Sequence, residues 1–253
     1  MPEIIQTVGG KHTEPKTPGF SGIMLKVIAA LAMISGTAAQ LFFGREQVVY
    51  QIMRFFGAVS APILCFLLVE GYHRTKNQRS YMTRILVVAL AAYLLHRFFV
   101  PVRTLDDIVF PLMLASVSLQ IFCGVQMPYS FRLPVIAMLA WWAQQSCSNG
   151  AAAILFVLTF EIARRYDLNM QLKAGLLAAL CCLLPTLYLF VTAPKFAVQA
   201  VWEFGILLAM LPLRFYNGQR GSGKAEKPLK WIFYLLYPVH LVALGMLKYA
   251  LTA

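Results

Sequence analysis

Long apolar runs without a polar stripe constrain this chain more than any other feature. VIAALAMISGTAAQLFF, APILCFLLV, ILVVALAAYLL, LLAALCCLLPTLYLFV and WIFYLLYPVHLVALGML are apolar around the whole helical circumference. Several approach the length of about 20 residues that crosses a bilayer. A helix in a water-soluble domain shows a polar outer face at helical period, and these mostly do not. Composition agrees: 60% of the 253 residues are hydrophobic and 13% charged, against about 25% charged in a soluble domain, and mean hydropathy is +0.69. The expected fold is all-α, a polytopic transmembrane helical bundle.

About nine spans are predicted, over 24–43, 51–70, 82–100, 106–124, 132–147, 150–163, 173–192, 196–213 and 229–251. The fifth and sixth are short enough to form a re-entrant pair around the uncharged QQSCSNGA. Residues 1–22 read as a flexible cytoplasmic arm, and 23–253 as one membrane domain without internal repeats. With the N-terminus inside, 16 of the 22 Lys and Arg fall on the cytoplasmic side and 6 outside, the bias that orients membrane helices. The net charge of +12 is thereby accounted for by orientation, and no water-exposed module suits a nucleic acid. The five cysteines, odd in number and lacking a C-x-x-C pair, read as small packing residues and imply neither disulfides nor a metal.

Ionisable groups inside spans are costly and therefore candidates for function. His240 lies near the middle of the last span, after Pro238 and close to Tyr234 and Tyr237. Its imidazole could act as a general base assisted by a tyrosine, or it could hydrogen-bond a neighbouring helix for packing. Glu70, at the end of the second span, is placed to pair with Arg74 one turn on. Glu203 could line a pore or make a polar contact to another helix, whereas His96 and Arg97 read as interface markers.

Two basic loops, GYHRTKNQRSYMTR and YNGQRGSGKAEKPLK, emerge on the same expected face and offer Arg74, Lys76, Arg79, Arg220, Lys224 and Lys230. The positive-inside rule alone explains such loops; a second reading is an anchor for the phosphates of a nucleotide-bearing donor. Gly218, Gly223 and Lys224 also satisfy the G-x-x-x-x-G-K spacing of a phosphate-cradling loop. That loop needs a Ser or Thr after its lysine and a strand before it. Here Ala225 follows the lysine and the apolar segment FGILLAMLPLRFY precedes the loop, so the spacing is coincidental.

FGAVSAPILCFLLVEGYHRTKNQRSYMTRIL resembles the early signature of the TraX family of membrane proteins, and LRFYNGQRGSGKAEKPLKWIFYLLYPVHLVALGML is similar to that family's C-terminal signature. LKVIAALAMI looks like the start of its first helix. The resemblance implies an integral membrane acyltransferase of the bacterial cytoplasmic (inner) membrane. Its implied donor is acetyl-CoA or another acyl-CoA, and its acceptor an amine or hydroxyl such as the N-terminus of a pilin-like small membrane protein. By motif position it implies roles for His240, Tyr237 and Glu70 in catalysis. It likewise points to His73, Arg74, Lys76, Arg79, Arg84, Asn217, Arg220 and Lys230 around the donor, and Thr75, Tyr81, Tyr216, Gly218 and Gly221 match the same motifs. The chain departs from the family where an Asp-His pair usually stands, with Gly36 and Thr37, and where Arg usually follows Gly, with Ala58 after Gly57. Two expectations result: acyl transfer centred on His240 with Glu70 or Glu203, or a non-enzymatic pilin-handling partner. A small transporter ranks behind both, because no inverted repeat is visible.

Overall fold

The computed structural model describes residues 19–99, 109–124, 128–147, 149–194, 198–219 and 226–252, without the side chains at 96–99, 109, 226–231, 237 and 252. Helices follow one another as α1 (Gly22–Phe42), α2 (Val48–Ala58), α3 (Ser60–Arg74), α4 (Gln78–Phe99), α5 (Val109–Gly124), α6 (Tyr129–Ser146), α7 (Gly150–Ala163) and α8 (Leu168–Thr192). A 3-10 helix (Val198–Phe204), α9 (Gly205–Leu208), α10 (Met210–Arg214) and α11 (Glu226–Thr252) complete the chain. Among the described residues the β structure is limited to an isolated bridge between Phe20 and Tyr216, so the G-x-x-x-x-G-K spacing has no strand to feed it.

Among the described residues, four helices are long and apolar enough to cross a membrane: Gly22–Phe42, Val48–Arg74, Leu168–Thr192 and Ile232–Leu251. Phe110–Gly124 and Gly150–Ala163 are apolar but shorter. Local chemistry sets where these elements start. Ser21 caps α1 by accepting from the Met24 amide at 3.3 Å, and Asp167 caps α8 through the Met170 amide, the role short oxygen-bearing side chains play at orphan helix donors. Both helices therefore begin earlier than hydropathy suggests.

The predicted second span is a single 27-residue unit, Val48–Arg74, bent where α2 gives way to α3 at Val59. Pro62 is the cause. It lacks the amide that would reach the Ala58 carbonyl, and its ring crowds that group. The Val59 amide turns to Phe56 at 3.2 Å, and the Ser60 hydroxyl donates to the Gly57 carbonyl at 2.6 Å, so the break leaves the backbone served. The predicted span 196–213 departs further from regular helix. Its described part is a seven-residue 3-10 helix followed by two short α-helices. Pro212 has no amide for Leu208, where α9 ends.

The protein core centres on α7, which packs on α3, α5, α6 and α8 and buries Ile154, Phe156, Val157 and Phe160. A helix this enclosed is short because it meets protein on most sides. Around it, α1 lies against α2, α3 and α11, and the 3-10 helix lies against α2 and α8.

Two contacts in this arrangement admit no side chain. A Cβ on Gly57 would stand 2.7 Å from the Gly36 Cα, and one on Gly205 only 1.9 Å from the Phe55 carbonyl oxygen. Backbone therefore touches backbone on two sides of α2. We expect Gly57→Ala and Gly205→Ala each to destabilise the detergent-solubilised protein by about 1–3 kcal/mol, the cost of overpacking, read as a lowered thermal midpoint. Gly44→Ala is the control, because nothing lies within 4 Å of its added methyl.

Candidate functional site

Most of the polar residues singled out by sequence gather at one end of the bundle. There the Glu70 carboxylate accepts from the Tyr216 hydroxyl at 2.5 Å and from Arg74 at 2.6 Å, so the expected Glu70–Arg74 pair is present. Arg74 also donates to the Gly218 carbonyl at 2.7 Å. Burial, and secondly the hydrogen bond to Glu70, push the Tyr216 phenol well above its ordinary pKa, which keeps it a donor. The strand-like pairing of Phe20 with Phe215 and Asn217 (2.7 and 3.0 Å) fixes the start of α1 to the same loop. Asn217 shapes the turn, accepting from the Gln219 amide at 3.0 Å and donating to the Gly19 carbonyl at 3.3 Å, while Gly218 takes φ +74°. Arg74 and Asn217, expected around a donor's phosphates, thus also hold the loop, Arg74 to α3 and Asn217 to the residues that lead into α1.

His73 lies beside this clasp and faces another way. Its Nε2 is 2.7 Å from Glu161 Oε2 on α7, which Arg164 approaches at 3.4 Å. His73, Cys123 and Glu161 offer donor atoms within 4.8 Å of one another, a spacing that could face one cation. Arg164 already brings positive charge to that carboxylate, and we read the group as a polar network joining α3, α5 and α7. Lys76 and Arg79 are exposed, and Arg84 hydrogen-bonds Tyr234. Arg220 and the side chains of Lys230 and Tyr237 lie outside the described residues.

Between the clasp and the middle of the bundle runs a cavity of about 300 Å³. Its mouth carries Lys26, Glu70, Arg74, Thr75, Tyr81 and Tyr216, and its depth is apolar, with Ala29, Met33, Leu64, Leu68 and Leu112. A second chamber of about 90 Å³ continues from there, sharing Met33 and Leu112 in its wall and lined also by Thr37, Gln40, Arg54, Asn149, Trp202 and Glu203.

His240 packs behind both walls, through a partner in each. It is 5% exposed; its Nδ1 is 3.1 Å from the Leu236 carbonyl, and its Nε2 is 3.4 Å from the Thr37 hydroxyl. A carbonyl can only accept, so in the neutral ring Nδ1 carries the hydrogen and Nε2 carries the lone pair. Leu236 borders the larger cavity and Thr37 the smaller, so the basic nitrogen faces the wall between them. Thr37 occupies one of the positions where the Asp-His pair was expected, and its hydroxyl also lies 3.0 Å from the Met33 carbonyl. Glu70 is held by Tyr216 and Arg74 and has no hydrogen bond to His240 among those described.

Sequence reasoning missed Arg54, which it placed among external surface charges. The residue is 8% exposed, lines the smaller chamber beside Ala58 and holds its guanidinium carbon 3.9 Å from the centre of the Trp202 ring. The signal was available: Arg54 precedes Ala58 by one helical turn, so both positions share a face. Glu203 combines both of its expected roles, accepting from the Thr186 hydroxyl of α8 while lining the chamber.

Comparison with known proteins agrees with this architecture. No solved structure matches the chain. A probable fimbrial assembly protein FimC, serogroup H1, from Dichelobacter nodosus is 30% identical over 242 residues, covering 90% of this chain and 96% of that protein. The family model described as TraX protein matches residues 21–248, from the capping serine of α1 to the last turns of α11. The chain therefore belongs to the TraX family.

Proposed function

We propose that this protein is an integral acyltransferase of the bacterial cytoplasmic membrane, moving an acetyl-type group from an acyl-CoA to an amine or hydroxyl of a pilin-like membrane protein. The observation that carries the reading is the locked His240 ring, whose Nε2 meets Thr37 on the wall of the smaller chamber while Leu236, which accepts from its Nδ1, borders the larger. The larger chamber, polar at its mouth and apolar within, suits the reach of a pantetheine arm, with the exposed Arg79 offered to the coenzyme's phosphates; the motif resemblance adds Arg220 and Lys230, which lie outside the described residues. The smaller would hold the acceptor. The acceptor nitrogen attacks the thioester carbonyl, a C–N bond forms and the C–S bond breaks. His240 Nε2 takes the proton that the amine sheds, and the departing thiolate receives it. Family membership and a relative named for fimbrial assembly support the pilin-type acceptor.

The reading includes about nine crossings with the N-terminus inside. It is supported by what meets at the clasp end: Phe20, Glu70, Arg74, Glu161 and Tyr216 come from segments that alternate direction along the chain. A second reading, a non-enzymatic partner in pilin handling, has one specific observation in its favour. Gly36 is packed against Gly57, and Thr37 supplies only a hydroxyl where an Asp-His pair was expected.

For the chemistry, intact mass of a co-expressed pilin-like peptide is expected to rise by one acyl group with the wild type. His240→Ala should cut the rate by about 10²-fold or more, the range of a lost general base; an unchanged rate rejects the base assignment, and no mass change with the wild type favours the second reading. For the topology, single cysteines replacing Glu46 and Arg79 in a cysteine-free background are probed with an impermeant maleimide. Position 46 should label in intact cells and position 79 only after permeabilisation.

A further inference from the structure

A third cavity, of about 850 Å³, opens as a groove between α8 and the segment from Phe204 to Arg214, and it shares no lining residue with either chamber. Residue spacing explains its walls. Leu208, Leu211 and Arg214 recur at intervals of three, and Asn169, Lys173 and Leu176 on α8 at intervals of four and three, so each set lies along one helix face. Between the rows sits Met210, whose sulfur would be 3.0 Å from a Cβ on Gly175. A position without a side chain thus lets α10 settle onto α8, and the leucines on either side stand as walls.

Polarity in this groove is confined to one end. Asn169 and Lys173 belong to the first two turns of α8, and Arg214 ends α10, two residues before the Tyr216 of the clasp. Both cations are exposed, and neither makes a salt bridge or a side-chain hydrogen bond among the described residues. From them towards Phe204 the lining is apolar. At helical rise the stretch from Phe204 to Arg214 advances about 15 Å, half of the roughly 30 Å of a bilayer's hydrocarbon core. A partner's transmembrane helix would call for a track over the full depth. A track of one leaflet's length, with its cations at one end, fits an acyl chain that carries an anionic head. The excess of basic residues on one side of a membrane protein accounts for the cations, but not for the concave apolar track that leads away from them.

We propose that this groove binds one anionic phospholipid, its phosphate held by Lys173 and Arg214 with Asn169 at the rim, and one acyl chain lying along Leu176, Leu208 and Leu211. An arginine fork pairs with two phosphate oxygens, and a lysine adds a point charge. The site is independent of the acyl-transfer reading. The wall it braces lies between Glu203 at the smaller chamber and Tyr216 at the clasp, so the lipid ties α8 to the segment that joins those two places.

The test uses the full chain in a neutral detergent, with lipid added and the complexes counted by native mass spectrometry. Dioleoyl phosphatidylglycerol is the anionic probe, dioleoyl phosphatidylcholine the zwitterionic one, and glycerol 3-phosphate carries the headgroup chemistry without chains. The wild type is expected to hold one phosphatidylglycerol about tenfold or more tightly than phosphatidylcholine, and glycerol 3-phosphate should not displace it. Lys173→Gln and Arg214→Gln should each weaken phosphatidylglycerol about fivefold, the worth of one basic residue at an anionic lipid surface, whereas Lys173→Arg and Arg214→Lys should keep most of the affinity. Leu211→Gln, in the apolar track, should weaken both lipids. Lys76→Gln, which removes a charge outside the groove, should leave the preference unchanged. Equal retention of the two lipids by the wild type overturns the proposal, as does a preference that survives loss of both groove cations or that Lys76→Gln lowers equally. Displacement by glycerol 3-phosphate at matching concentration would make the groove a phosphate site, and a dimer broken by Leu211→Gln would place a second copy there; either result also overturns it.

Discussion

The close approach of α1 to α2 at Gly36 and Gly57 sets the rest of the arrangement. Lipid offers helices little hydrophobic incentive to associate, so van der Waals contact between small residues carries much of the association. Here it brings two backbones together with a built Cβ separation of 2.7 Å at its tightest. The depth of that contact decides what lies beside it. Arg54 Nη1 comes within 3.9 Å of the space above Gly36, and Thr37, the next residue, is turned to His240. A larger residue at 36 would push α2 away and separate the arginine from the histidine's neighbourhood. The chemistry of the chamber is thus built around an absence of side chain.

Polarity is then distributed by what each region can satisfy. At the clasp end, water and loop backbone are near, and Glu70, Tyr216 and Arg74 form a network that also ties down the turn at Gly218. Deeper, polar side chains answer to individual partners: His240 to Leu236 and Thr37, Glu203 to Thr186, Arg54 to Trp202. Each of these residues has a partner because a polar group left alone in an apolar medium costs several kcal/mol. The apolar side chains of Met33 and Leu112, which border both chambers, separate the two regimes.

Much of this was legible in sequence where physics acts locally. Apolar runs gave the helices, one turn of spacing gave the Glu70–Arg74 pair, and of the polar intruders Glu203 marked a chamber wall and His240 a buried contact to Thr37. What escaped was set by tertiary contact. The 3-10 geometry of Val198–Phe204 follows from its fit to α2 and α8, and hydropathy is blind to the difference between two helices of equal apolarity. Arg54 escaped because charge counting assigned it to the outside, when a neighbouring tryptophan and a facing glycine made room for it within. His73, grouped with the basic loop by position, pairs with Glu161 some 88 residues away, a partnership no local spacing encodes.

The 3-10 helix also bears on thickness. An α-helix advances 1.5 Å per residue and a 3-10 helix about 2.0 Å. The segment from Val198 to Arg214, wound wholly as α-helix, would reach about 25 Å; with its first seven residues in 3-10 form it reaches about 29 Å. The hydrocarbon core of a bilayer is about 30 Å deep. Tighter winding therefore brings the segment close to that length without added residues, and the stretched part is the one that sets Trp202 against Arg54 and Glu203 against Thr186.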